Sequence, residues 1–111
     1  MANWFLRGLC RGVVTTRYPR RADPSAADLP GPPTFDGRQM DQALARLLVS
    51  VCPSAALSLE ADLLVLDIST CTACQRCLPV AGRAGRPSAR FEWAARDRRT
   101  LRVEFPLGGS R

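Results

Sequence analysis

Three cysteines at C-x2-C-x2-C spacing, Cys71-Thr-Ala-Cys74-Gln-Arg-Cys77, constrain this chain more than any other feature. The spacing lets one loop turn three thiolates toward a common inorganic centre while the loop's amides point at the sulfurs. Structural zinc sites more often use two C-x2-C knuckles well apart, so the triple run favours iron and sulfur over zinc; either centre needs a fourth donor. The 111 residues include no histidine, which excludes Ser-His-Asp and Cys-His nucleophiles and the His-ligated zinc enzymes. Five cysteines, an odd number, point to metal or redox use in a reducing compartment before disulfides.

In bacterial ferredoxins the run is C-x2-C-x2-C-x3-C-P, and its last cysteine ligates the other cluster of a two-cluster fold. Cys52-Pro53 resembles the end of such a run whose earlier members are gone: the positions for them hold Gln42, Ala45 and Leu48. After Cys77, the matching fourth position is Ala81. On that pattern one complete ligand set survives, Cys52, Cys71, Cys74 and Cys77, and the other is wholly absent. Random loss of four ligands from eight would leave a complete site in about 2 cases in 70, so loss of one whole cluster is the better account. Cys10 fits no ligand pattern and reads as a small buried hydrophobe.

A chain of this length forms one small domain with an arm or two and buries only about two thirds of its unfolded surface, so a metal or partner completes its core. Residues 3–14 place Phe5, Leu9 and Val13 on one face and Arg7 and Arg11 on another, an amphipathic helix for a membrane surface, a partner or the chain's own core. Five prolines between residues 15 and 37 predict an extended connector. Asp41 to Val51 reads as a helix ending before Cys52-Pro53, and residues 57–68 read as a tight hairpin broken at Glu60-Ala61-Asp62. Gly82, Gly85 and Pro87 mark a loop; Phe91–Ala95 and Leu101–Phe105 are further extended candidates. The divisions are an N-terminal helix and proline-rich docking arm over 1–37, the cysteine domain over 38–106, and a disordered tail over 107–111.

All 16 basic residues are arginine and the net charge is +6, but the excess sits in the arms. Residues 1–21 hold Arg7, Arg11, Arg17, Arg20 and Arg21 with no acid, whereas residues 52–77 set Glu60, Asp62 and Asp67 against Arg76. That distribution, without lysine-rich or aromatic-interleaved patches, argues against a zinc-bound nucleic-acid module. No stretch approaches the ~18 to 20 apolar residues of a spanning helix, and the arginine-spaced N-terminus does not resemble a signal peptide, so the expectation is a cytoplasmic chain.

The opening FLRGLCRGVVTTRYP resembles the start of the ferredoxin-like subunit of membrane-bound group 4 nickel-iron hydrogenases and formate hydrogenlyase, related to subunit I of respiratory complex I. Those subunits begin with a basic amphipathic helix and a V-T-T-x-Y-P segment, here Val14, Thr15, Thr16, Tyr18 and Pro19. The resemblance continues through Cys52-Pro-Ser-Ala-Ala-Leu, Cys71 to Cys77 and FEWAARDR at 91–98. It implies an α+β, ferredoxin-like 4Fe-4S domain with short hairpins and helices, in degenerate form. It further implies one 4Fe-4S cluster on Cys52, Cys71, Cys74 and Cys77, with Leu44, Leu48 and their neighbours filling the lost site.

The function so implied is electron transfer within a hydrogenase-like or formate-oxidising complex, with no active site of its own. Residues 1–37 would grip other subunits, peripheral on the inner face of the cell membrane. The competing expectation is a cluster-free structural subunit of the same kind of assembly.

Overall fold

The computed structural model describes residues 3–12, 17–18, 20–88 and 94–108. Within them two strand-helix-strand units follow one another. The first is β1 (Pro33–Phe35), α2 (Gln42–Val51) and β2 (Leu57–Glu60); the second is β3 (Leu63–Asp67), α3 (Cys77–Ala81) and β4 (Gly85–Pro87). They are preceded by α1 (Asn3–Arg11) and followed by β5 (Arg102–Pro106). The inner strands β2 and β3 pair, the outer strands β1 and β4 pair, and β5 adds to β3; all three pairings are antiparallel. The described residues are therefore of α+β type, with one antiparallel sheet of two strands and one of three.

Helix α2 forms where the leucine spacing and the cap agree. The Asp41 carboxylate accepts the Leu44 amide at 2.8 Å, and the helix ends on Cys52, whose extended backbone suits a residue before proline. Ala45 and Leu48 are fully buried, Leu44 is half-buried, and Leu47 faces outward. They pack with Phe35, Met40, Ala56, Leu57, Leu64, Leu66, Ala81, Ala84 and Leu107 in one core. The hairpin closes through Ala61 at φ +50°, and its register sets Leu57 beside Leu66 and Leu59 beside Leu64.

Several expectations change. The proline-rich connector is not extended throughout: Asp23 caps a 3-10 turn at Pro24–Asp28, and Pro33–Phe35 is a strand whose Phe35 enters the core. Pro33 lies opposite Pro87, so neither strand offers an amide there, a pairing confined to this two-stranded sheet. The expected loop at 82–87 is a 3-10 turn followed by β4. Gly85 is required where α3 meets the strand, since a Cβ there would lie 2.7 Å from that of Ala81.

Leu107 belongs to the core, and the Gly108 amide bonds the Gly37 carbonyl at 2.7 Å, so the chain stays anchored past residue 106. Ala94 and Ala95 form no strand. Val14, Thr15, Thr16 and Pro19, residues 91–93 of the FEWAARDR stretch and residues 109–111 of the tail lie outside the described residues.

Helix α1 spans Asn3–Arg11 and closes on Gly12, which takes φ +64° and donates its amide to the Gly8 carbonyl at 3.1 Å; Val13 and Val14 of the expected helix lie outside the described residues. None of its residues is buried, so it does not fold back on the core, and Cys10 is exposed instead of buried. Among the described residues no helix is long and apolar enough to cross a membrane.

Candidate metal centre

The hairpin delivers the cysteine loop. The Asp67 carbonyl accepts the amides of Thr70 and Cys71 at 3.3 and 3.2 Å, and its carboxylate takes the Ser69 amide and hydroxyl. Those bonds to Ser69, ahead of the nearby Arg98 and Arg102, hold the Asp67 carboxyl below its ordinary range. The chain thus turns sharply out of β3 into Cys71. The loop then winds through two residues in the left-handed region, Ala73 at φ +52° and Gln75 at φ +59°, before Cys77 opens α3.

Cys52 approaches from the other unit. Ala55 adopts φ +53°, which folds the Cys52–Ala56 segment back so that the Ala56 amide donates to Cys52 Sγ at 3.3 Å. In the second loop the Ala73 amide donates to Cys71 Sγ at 3.4 Å. Left-handed backbone costs an L-residue about 1–2 kcal/mol. Among the described residues, three of the four non-glycine residues with positive φ lie in these two loops. Backbone strain is therefore concentrated where the sulfurs are presented, as functional sites tend to show.

Cys52, Cys71, Cys74 and Cys77 line one recess, together with Pro33, Pro53, Ala56, Leu57 and Leu66. The recess itself is narrow, with about 20 Å³ of water-accessible volume; the roughly 330 Å³ of empty space around its lining includes open solvent. Cys74 is exposed and the other three are half-buried. Cys10 does not line the recess.

The thiols differ electrostatically. Burial would raise the Cys52 pKa, but the Ser54 hydroxyl, 3.6 Å from Sγ, and the amides of Ala56, Leu57 and Ser54 together outweigh it, and the net shift is downward. Burial pushes the Cys77 thiol up, with further upward pressure from Cys71, Cys74 and Cys52. Cys77 thus feels all three of the other thiols, although Cys52 is 25 positions away in sequence.

The sulfurs surround a recess without closing on one point: among the described residues no group of three or more His, Cys, Asp or Glu is placed to hold a single metal ion. A tetrahedral zinc with Zn–S of about 2.3 Å would bring its sulfurs to about 3.8 Å of one another. A cubane takes each thiolate on a different iron, and a largely apolar recess lined by four cysteines, two of whose sulfurs accept amide hydrogen bonds, offers the donor set that such a cluster would use.

The other ligand positions tell the opposite story. Ala45, Leu48 and Ala81 are all in the apolar core, and Gln42 is on the surface, where its Nε2 bonds Asp62 Oδ1 at 2.8 Å. Positions 42, 45 and 48 are helical, whereas positions 71 and 74, at the same offsets in the second unit, are in the loop. Where no thiols stand, the chain closes into a helix.

The sequence pattern identified the cysteines but not their supports. The Ser54 hydroxyl and the Ala56 and Ala73 amides had no mark beyond the run of small residues in Pro53-Ser-Ala-Ala56. Among known proteins the chain matches no family model and no curated sequence.

Proposed function

We propose that the chain is an electron-transfer subunit carrying a single 4Fe-4S cluster on Cys52, Cys71, Cys74 and Cys77. One observation carries the reading: four cysteines from two separate loops line one recess, while the positions for a second ligand set hold no thiol and three of the four are packed in the core. The paired strand-helix-strand units, outer strands joined and inner strands joined, support a ferredoxin-like domain with one site retained.

When bound, such a cluster supplies one-electron transfer. The chain's own residues hold the thiolates, direct the Ala56 and Ala73 amides at two of them, and keep Cys74 on the exposed side, where a redox partner can approach. Amide hydrogen bonds to the sulfurs raise the potential of a cluster, and burial lowers it. The parent assembly in this reading is a hydrogenase-like or formate-oxidising complex, gripped through residues 1–37 and peripheral on the inner face of the cell membrane. The resemblance of the N-terminal segment supports that placement.

A cluster-free structural role is the competing reading, and the closed apolar core around α2 is the observation in its favour. Anaerobic reconstitution followed by iron and sulfide analysis separates the two. About four irons per chain is the expected result, and fewer than about two sinks the one-cluster reading.

A further inference from the structure

Among the described residues, α1 carries four of the seven exposed large hydrophobic side chains. Trp4 is 77% exposed, Leu9 65%, and Phe5 and Leu6 56% each. At about 100° per residue, Phe5, Leu6 and Leu9 share one face, and Arg7 and Arg11 lie opposite. Trp4 sits beside Arg11, its ring edge-on to Phe5 with centroids 6.0 Å apart. The basic character continues in the exposed Arg17, Arg20 and Arg21, and no acid occurs before Asp23.

We propose that α1 and the arginines after it bind an anionic lipid surface, with the helix in the plane of the interface. Phe5, Leu6 and Leu9 enter the acyl boundary, Arg7 and Arg11 meet lipid phosphates, and Trp4 occupies the headgroup level, where amphipathic rings collect. The proposal deepens the peripheral location given above and rests on it for the choice of surface; it assigns α1 to the membrane and leaves the grip on other subunits to the rest of residues 1–37, and it requires no cluster. A single weak anchor holds a protein only marginally; an apolar face joined to a basic cluster supplies the two signals that stable attachment takes.

Charge and size favour lipid over a second copy of the chain. Five arginines without an acid complement a surface of phosphates and match no acidic group elsewhere in the segment. A second copy of the chain is disfavoured because a nine-residue helix is only about 13.5 Å long, too short to supply the roughly 800 Å² per partner of a standard interface.

The test is sedimentation of the full chain, with and without iron, against vesicles of phosphatidylcholine alone and of phosphatidylcholine mixed equally with phosphatidylglycerol. The expected result is binding to the mixed vesicles only, weakened by salt. Arg7→Gln with Arg11→Gln lowers it about 30-fold, at about fivefold per charge, and Phe5→Ser with Leu9→Ser abolishes it. In a Trp93→Phe background the emission of Trp4 shifts to the blue on binding.

Since no α1 side chain is buried, these variants keep the far-UV circular dichroism of the remaining elements. Failure of the full chain to bind the mixed vesicles overturns the proposal, as does binding that survives Phe5→Ser with Leu9→Ser. Self-association lost in that same variant assigns the face to a second copy and overturns it too. Iron content is read separately: vesicle binding without iron incorporation leaves this proposal standing and removes the cluster.

Discussion

Cys52 Sγ accepts the Ala56 amide at 3.3 Å, a bond made possible by the left-handed turn at Ala55 between them. Cys71 Sγ likewise accepts the Ala73 amide at 3.4 Å, there with the donor residue itself in the left-handed region. A thiol that joins its recess from a separate loop is thus held as deliberately as one inside the C-x2-C-x2-C run. Cys52→Ser is expected to remove or convert the cluster as severely as Cys74→Ser, read as iron per chain and visible absorbance after reconstitution. Cys10→Ser leaves both unchanged. Full iron retention by Cys52→Ser defeats the crossed ligand assignment.

The thiols of the iron-free chain are expected to ionise in a set order. Cys52 is shifted down and Cys77 up. An acid with a lowered folded pKa gains stability from ionising, so the Cys52 contribution is present above the unfolded thiol value near 8.5 and is lost as pH falls through the folded one. Cys77 behaves oppositely: its neutral form is favoured by the fold, and its contribution is lost as pH rises through its raised value. Alkylation followed by mass spectrometry across the neutral to alkaline range should label Cys52 at lower pH than Cys77. The reverse order would contradict the hydrogen-bonding account of Cys52.

Leu48 and Leu47 are neighbours with opposite fates, one fully buried and the other half in water. Leu48→Ala is expected to cost about 2–5 kcal/mol in urea unfolding of the iron-free chain, through lost transfer energy and the cavity left behind. Leu47→Ala should stay within about 0.5 kcal/mol. Gly85→Ala adds a Cβ 2.7 Å from that of Ala81 and should cost about 1–3 kcal/mol by overpacking.

How far the sequence foretells this depends on the kind of signal each element carries. Helix α2 is legible because the Asp41 cap, the leucine period and Cys52-Pro53 all agree, and the β2–β3 hairpin because two apolar runs flank a polar break. The β1–β4 pair is not: each strand has three residues and includes a proline, too short a stretch for a strand pattern to register, so tertiary contact through Phe35 and Gly85 defines it. In the site, the cysteine spacing names the donors. The left-handed backbone that aims them falls on Ala55, Ala73 and Gln75, residues with no local preference for it, where glycine is the usual mark.

Restoring the missing ligands is expected not to restore the second cluster. In the variant Gln42→Cys, Ala45→Cys, Leu48→Cys, Ala81→Cys, the first three cysteines would lie on a capped ten-residue helix, not in a loop. Positions 42, 45 and 48 rise about 4.5 Å per step along α2, and no residue of that helix has positive φ to wind the chain round a cubane as Ala73 and Gln75 do. Removing Leu48 from the core also weakens the elements that would have to carry the new site. Reconstituted under the same conditions, the quadruple variant should hold about four irons per chain and unfold at lower urea than the parent. A value near eight would mean that α2 rearranges readily into a cluster loop, and that the four substitutions alone separate the one-site chain from a two-site one.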